Sequence, residues 1–341
     1  MPILTTGHVR RVLDGAEEQV VDAVSRAYRL HAAGRTVLPR PLFLRFPEEA
    51  RNRITALPTH LGDGGGTGGQ EPVTGLKWIS SFPGNPDAGL ERASAVIVLH
   101  LMRTGHPEML LDGSVISARR TAASAALAAA LAAATLAPRE PQTGVTLTGC
   151  GVLDFEVLTF LRALLPESAE VTLFDLDPAR VRAFAERRAP RGPAARAADH
   201  HHRTDRGHPG GPPAGLLATT TGPHLDPSDC PPGTLLLHLS LRDLAPETIL
   251  SSVNIVDDGD HVCRESTPQQ PAEEQAGHRD FIPDSIGAIL VGGRRERAPE
   301  ALTVFSPFGL GVLDLAVADL VRHRTQEQAL GTDVLLPPGA R

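Results

Sequence analysis

Lysine is almost missing from this chain: of its 33 basic side chains, one is a lysine, Lys77, and the others are arginine. An excess of positive charge is missing too. The formal net charge is −7, which argues against nucleic acid as the main partner, because phosphate binding needs a basic face. The three cysteines, Cys150, Cys230 and Cys263, are far apart and form no CxxC pair. That pattern excludes a disulfide framework and a cysteine zinc site, and no other metal site is expected. Long hydrophobic runs are absent. The longest apolar tract, Thr121 to Ala137, is mostly alanine, too short and too weakly hydrophobic to span a membrane. Met1-Pro2-Ile3-Leu4 lacks a charged leader before an apolar run, so no signal peptide is expected and the cytoplasm is the expected compartment.

What is present is ordinary globular material: 341 residues with 41% hydrophobic content, enough for about two domains. The residue the composition avoids then becomes informative. Lys77 lies in Gly75-Leu76-Lys77-Trp78-Ile79-Ser80-Ser81, beside the single tryptophan. An ammonium is a compact point charge whose pKa burial can shift, whereas a guanidinium stays protonated. Fixing a carboxylate at a reacting carbon, or moving a proton, needs the former. The plainer alternative is a surface lysine; Trp78, Ile79 and Phe82 favour a buried strand.

Helical spacing predicts a helix over Leu13–Leu30, with Asp14 as its cap and Gly34 past its end. Val37–Arg45 is extended, held out of helix by Pro39 and Pro41. Strands are expected over Arg53–Pro58, Gly75–Ser81, Ala93–His100 and Glu108–Leu111. Gly62–Gly69 reads as a hairpin loop, since it lacks a GK[ST] ending. Ala95-Val96-Ile97-Val98-Leu99 is a continuous apolar run, as in a strand buried on both faces. The pattern then changes. An alanine-rich helix follows Arg119-Arg120-Thr121. After it come strand Val145–Thr148, helix Val152–Leu165, strand Val171–Phe174 and helix Pro178–Arg188, a βαβ unit. Ala189–Gly215, with His200-His201-His202, reads as a solvated loop. Further strands are expected at Leu216–Thr220, Thr234–Leu239, Asn254–Asp257 and Leu302–Phe305. Glu265–Gly277 reads as partly helical. A last helix covers Gly311–Gln328, with Leu313, Ala316, Val317, Leu320 and Val321 on one face. The fold class is α/β: a Rossmann dinucleotide-binding domain, 119–310, plus a mixed α/β substrate-binding and dimerisation domain, 1–118, completed by 311–341.

A strand, then Gly149-Cys150-Gly151, then a helix is where a dinucleotide pyrophosphate rests on a helix N-terminus. Asp175 closes the next strand, where an acid binds ribose hydroxyls and disfavours a 2′-phosphate; NAD is the expected cofactor. The third fingerprint position is Asp154 rather than glycine or alanine. Arg40, Arg45, Arg53, Lys77, Arg92 and Arg120 gather in the first domain, and arginine forks hold carboxylates well. Together they suggest a substrate with more than one carboxylate, although Arg45 or Arg92 alone reads as surface charge. Asp243, after a buried strand, has two readings: a proton-exchanging acid near a nicotinamide, or a helix cap before Pro246.

Leu38-Pro39-Arg40, Gly75-Leu76-Lys77, Ser117-Ala118-Arg119-Arg120-Thr121-Ala122-Ala123, Gly149-Cys150-Gly151 and the strand leading to Asp243 resemble the ornithine cyclodeaminase/mu-crystallin family over nearly the whole chain. Within that family, Arg53-Ile54-Thr55-Ala56-Leu57-Pro58-Thr59-His60, Lys77-Trp78-Ile79-Ser80-Ser81, Glu91-Arg92-Ala93-Ser94 and Ile116–Ser124 are most similar to a branch that acts on N-(2-amino-2-carboxyethyl)-L-glutamate, releasing 2,3-diaminopropionate for siderophores and peptide antibiotics. The resemblance implies a homodimer built by the first domain. It implies an amino-acid substrate whose carboxylates are held by Arg40, Lys77 and Arg120, with Arg53 and Arg92 nearby, and catalysis by Lys77 and Asp243. It implies an NAD site lined by Arg120, Thr121, Gly149, Gly151, Val152, Leu153, Asp175, Thr219, Thr220, Leu239 and Ser240. Cyclodeaminases carry a glutamate where this chain has Thr55 and a serine where it has Pro307, which speaks against ornithine cyclisation. A cyclodeaminase, an imine reductase and a non-catalytic mu-crystallin-like ligand-binding protein are the other members of the family to weigh.

Overall fold

The computed structural model describes residues 1–49, 51–63, 71–135, 144–164, 170–188, 196–197, 214–217, 230, 232–240, 243–264, 267–292, 300–328 and 330–333. The chain opens with β1 (Pro2–Leu4), α1 (Thr6–Leu13), α2 (Glu17–Ala32), β2 (Thr36–Val37) and β3 (Leu42–Arg45). It continues through β4 (Arg53–Leu61), β5 (Val73–Ser81), β6 (Ala93–His100), β7 (Pro107–Asp112) and α3 (Ser114–Thr135). Next come β8 (Gly144–Thr148), α4 (Val152–Leu164), β9 (Glu170–Phe174), α5 (Pro178–Arg188), β10 (Arg196–Ala197) and β11 (Ala214–Leu217). β12 (Leu235–His238), α6 (Pro246–Ser251), β13 (Val253–Val256), α7 (Gly259–Val262), α8 (Gln269–Ala276), β14 (Asp284–Ser285) and α9 (Ile286–Leu290) follow. β15 (Thr303–Ser306), α10 (Gly311–Gln328) and β16 (Thr332–Asp333) complete it.

Two compact units emerge: Met1–Thr121 with Gly309–Arg341, and Ala122–Phe308. In the first, the strand order is β16-β1-β7-β6-β5-β4-β2, with β3 also on β4. The pairings are antiparallel apart from β1 with β7. The register puts Leu57, Lys77, Ile97 and Leu111 in one row and Thr59, Gly75 and Leu99 in the next. Opposed residues share a face, and this face lies against α10. Gly75 and Gly311 allow the close approach: a Cβ on Gly75 would lie 3.0 Å from Leu315 Cδ2 on α10, and one on Gly311 would lie 2.5 Å from Thr59 Cγ2. The opposite face carries Leu42, Leu44, Trp78 and Val96, the last two each 43% exposed.

The second unit holds one parallel sheet in the order β10-β9-β8-β11-β12-β15-β13-β14. Its first five positions are the doubly wound arrangement in which β8 and β11 flank the point where the strand order reverses. Ligands bind beyond the carboxyl ends of strands at such a point. Leu235–His238 are all buried, as a strand sandwiched between helices requires.

Several sequence expectations need correction. The helix expected over Leu13–Leu30 runs over Glu17–Ala32, with the separate helix α1 before it. Asp14 ends α1 rather than starting α2, which begins after Ala16 without a side-chain cap. The apolar run Ala95–Leu99 is not buried on both faces: Ala95, Ile97 and Leu99 are buried and Val96 is exposed, because among the described residues this antiparallel sheet is covered by a helix on that side. The same alternation brings Trp78 to the surface while Lys77 points inward. α3 begins at Ser114, where Asp112 Oδ1 accepts from the amides of Ser114 (3.0 Å) and Val115 (3.2 Å). Within the segment read as a loop, 196–197 is a strand held by β9, and the strand expected from Leu216 begins two residues earlier, at Ala214, between β8 and β12. The three histidines 200–202 lie outside the described residues. The glycine-rich stretch joins paired β4 and β5, with 64–70 outside the described residues. α10 is buried on more than one face, Asp314 and Asp319 included.

Candidate functional site

In the first unit, Lys77 is 2% exposed, and its Nζ donates to Asp314 Oδ2 at 2.6 Å. Ser117 Oγ lies 3.4 Å from the same nitrogen. Arg120 Nε donates to Asp314 Oδ1 at 3.1 Å. Strand β5, the first turns of α3 and the first turn of α10 thus bring two cations and one carboxylate together out of solvent. Burial pushes the Lys77 ammonium down from its usual 10.5 to about 8; Asp314 opposes the shift and Arg120 adds to it. Two cations thus share one buried carboxylate, and a substrate carboxylate is a further anion that such a pair of cations can hold. Thr59 Oγ1, one register row from Lys77, is buried without a hydrogen-bond partner.

Of the six cations expected at the site, Lys77 and Arg120 meet at Asp314. Arg40 and Arg45 are exposed, and Arg45 stacks on Phe43. Arg53 and Arg92 are half-buried at the far end of the strands, where Arg53 opposes Ser81. Arg53 shares the Lys77 face, four residues along from Leu57, about 13 Å at the strand rise. Asp314 is the residue that sequence reasoning missed. Its available signal was an acid within the otherwise apolar Gly311–Val317.

In the second unit, Gly149 takes φ 110°, a conformation that glycine alone adopts without strain. Its amide donates to the Phe174 carbonyl at 2.8 Å. The Cys150 amide donates to Asp175 Oδ2 at 2.8 Å, and Asp177 N–H to Asp175 Oδ1 at 2.9 Å. Asp175 is thereby oriented at the carboxyl end of β9, as an acid that receives a ribose must be. Val152 is exposed and Leu153 half-buried in the first turn of α4. Asp154 is buried, and its Oδ2 accepts from the Gly151 amide at 3.1 Å. Thr121 Oγ1 donates to the Ser117 carbonyl within α3. Leu239 and Ser240 follow β12, and the Ser240 hydroxyl is buried with no hydrogen-bond partner. Thr219 and Thr220 lie outside the described residues. The glycine turn, the oriented acid and the orphaned hydroxyl at the carboxyl ends of parallel strands fit a dinucleotide.

Asp243 is fully buried, and its backbone N–H donates to His238 Nε2 at 3.3 Å. That leaves Nδ1 as the protonated ring nitrogen, donating to Ser306 Oγ at 3.1 Å. Burial pushes His238 down to about 3, so the ring is neutral. The helix-cap alternative for Asp243 does not hold: α6 is preceded by Ala245 and has no side-chain cap. Among the described residues, no group of three metal-ligating side chains converges and no helix is long and apolar enough to cross a membrane.

Comparison with known proteins adds to this geometry. The chain is 26% identical to the N-((2S)-2-amino-2-carboxyethyl)-L-glutamate dehydrogenase of Staphylococcus aureus, over 94% of this chain and 95% of that one. It shares its fold with an archaeal alanine dehydrogenase dimer solved with bound NAD (TM-score 0.82, 23% identity, 98% and 99% of the two chains). It also shares it with the Thermococcus litoralis Delta(1)-pyrroline-2-carboxylate reductase in complex with NADH and L-proline (TM-score 0.83, 22% identity, 98% and 100%). Residues 7–202 match the model of a family whose resemblance the lysine strand and the glycine turn already carried. The chain belongs to the ornithine cyclodeaminase/mu-crystallin family.

Proposed function

We propose that this protein is an NAD-dependent oxidoreductase that converts N-(2-amino-2-carboxyethyl)-L-glutamate and water to 2-oxoglutarate and L-2,3-diaminopropionate. The observation that carries the reading is the buried Lys77–Asp314–Arg120 cluster, in which two cations share one carboxylate. It suits a substrate that brings a carboxylate to the reacting carbon. The Staphylococcus aureus relative, matched across nearly both chains, supports the choice of substrate. Thr55 supports it too. It is buried on the Lys77 face, so no carboxylate stands where cyclodeaminases carry a glutamate.

NAD, when bound, accepts the hydride from the glutamate α-carbon. Lys77 and Arg120 hold the α-carboxylate, and Arg53, farther along the same face, receives a second carboxylate, with Arg40 and Arg92 as rim charges. Asp243 takes the proton of the secondary amine as the imine forms and returns it to the imine nitrogen as water adds. The carboxylate so regenerated takes a proton from that water and passes it to the amine nitrogen that leaves. Collapse of the carbinolamine releases ketone and primary amine. Asp175 accepts the ribose hydroxyls, and Thr121, Val152, Leu153, Thr219, Thr220, Leu239 and Ser240 line the cofactor. The role of the protein is to hold the α-carbon in position for transfer.

The exposed apolar face of Leu42, Leu44, Trp78 and Val96 suits a second copy of the chain, so the working form is a cytoplasmic homodimer. Its product is a building block for siderophores or peptide antibiotics. The test is incubation with NAD and the glutamate adduct, following NADH absorbance and identifying products by mass spectrometry. Equal yields of NADH, 2-oxoglutarate and diaminopropionate support the reading. Proline and ammonia from ornithine without net NADH, or binding with no turnover of any candidate, would overturn it.

A further inference from the structure

Every amide of the glycine turn is already occupied. Gly149 donates to Phe174, Cys150 to Asp175 and Gly151 to Asp154. The third contact is the unusual one, because it places a carboxyl at the N-terminus of α4, where a dinucleotide phosphate would rest. Asp154 is 3% exposed, and its second oxygen, Oδ1, is buried with no hydrogen-bond partner. A buried carboxylate with one oxygen unsatisfied is expensive, and a proton on that oxygen removes the charge. The helix-start amides of Val152 and Leu153 have no partner within the helix, so a phosphate can still be received there, next to this carboxyl.

We propose that Asp154 is a determinant of dinucleotide binding: its carboxyl shares the helix N-terminus with the phosphates, which enter only when it is neutral, so binding draws a proton from solvent. The inference rests on the dinucleotide reading of the turn. If Asp154 is ionised, a phosphate beside it meets a like charge in a desolvated place. If it is neutral, Oδ1–H offers a donor, and a phosphate oxygen supplies the acceptor that Oδ1 lacks.

Burial drives the Asp154 carboxyl well above the ordinary carboxylate range. Hydrogen bonds from the amides of Gly151 and of Asp154 itself pull the other way, and the charge of Asp175 adds to the rise. The other groups facing the turn are the Cys150 thiol, which burial pushes up to about 12, and the guanidinium of Arg180 on α5. The thiol stays neutral throughout the range tested below, so it does not supply the proton change.

The experiment is calorimetric titration of the full-length protein with NADH between pH 6 and about 9, in buffers of different ionisation enthalpy. In the wild type, affinity should fall by up to about tenfold per pH unit above the Asp154 titration, with uptake approaching one proton. Asp154→Asn keeps an acceptor for the Gly151 amide and cannot ionise. It should bind NADH without proton uptake and without that pH dependence. Wild-type affinity that is flat with pH, or equal proton uptake by Asp154→Asn, would overturn the proposal while leaving the dinucleotide reading intact. Failure of both proteins to bind NADH at any pH would overturn both. The wild-type proton count decides the matter even if the variant does not fold.

Discussion

Lys77 Nζ lies 2.6 Å from Asp314 Oδ2, although 237 residues separate the two in the chain. The pair is fully buried, and Arg120 shares the same carboxylate. Removing the carboxylate leaves the buried Lys77 ammonium without its ion-pair partner. Asp314→Asn should therefore cost about 3–5 kcal/mol, the usual result of breaking a buried pair. Urea denaturation measures it; a loss below about 1 kcal/mol would show that the cluster is not held as described.

Substrate affinity should depend on pH through Lys77. Its ammonium titrates near 8 in the folded protein, so KM for a carboxylate substrate should rise above that value, by up to about tenfold per pH unit. Stability runs the opposite way. The lysine is held below its unfolded value, so between about 8 and the usual 10.5 the unfolded chain binds more protons, and stability rises with pH. In Lys77→Met both trends should vanish, which pH-dependent kinetics and urea midpoints would reveal.

His238 holds the Asp243 amide with a neutral ring. His238→Phe leaves that N–H and the Ser306 hydroxyl without their partner, at about 1–3 kcal/mol for each buried group. If the contact orients Asp243, kcat should fall about tenfold or more while NADH affinity holds. An unchanged kcat would reduce the histidine to a packing role.

Packing beneath α10 gives a test that does not depend on catalysis. Gly311→Ala forces a methyl against Thr59 Cγ2 and should cost about 1–3 kcal/mol. Thr59→Ser removes that Cγ2, and the double variant should regain most of the loss. A double variant no more stable than Gly311→Ala alone would place the clash elsewhere.

The exposed sheet face makes a separate prediction. Trp78→Glu with Val96→Glu should convert a dimer to a folded monomer, read by light scattering and circular dichroism. A wild-type protein already monomeric at micromolar concentration would remove the second copy from this face.

The sequence by itself determined the class of the fold, the parallel βαβ core and the glycine turn, because these depend on local periodicity and on a backbone angle that only glycine takes freely. It singled out Lys77 through composition, and it placed Asp175 by its distance from Gly151. It did not reveal Asp314, nor the contact of Asp154 with the Gly151 amide. Periodicity reports which way a side chain points, and says nothing of which distant chain segment it meets. The exposure of Trp78 and Val96 was hidden for a related reason: an apolar run reads the same whether one face of a sheet is covered or both. Only the tertiary structure decided those matters, by laying α10 across β4, β5 and β6 and so gathering Lys77, Arg120 and Asp314 where water is excluded and buried charges must pair.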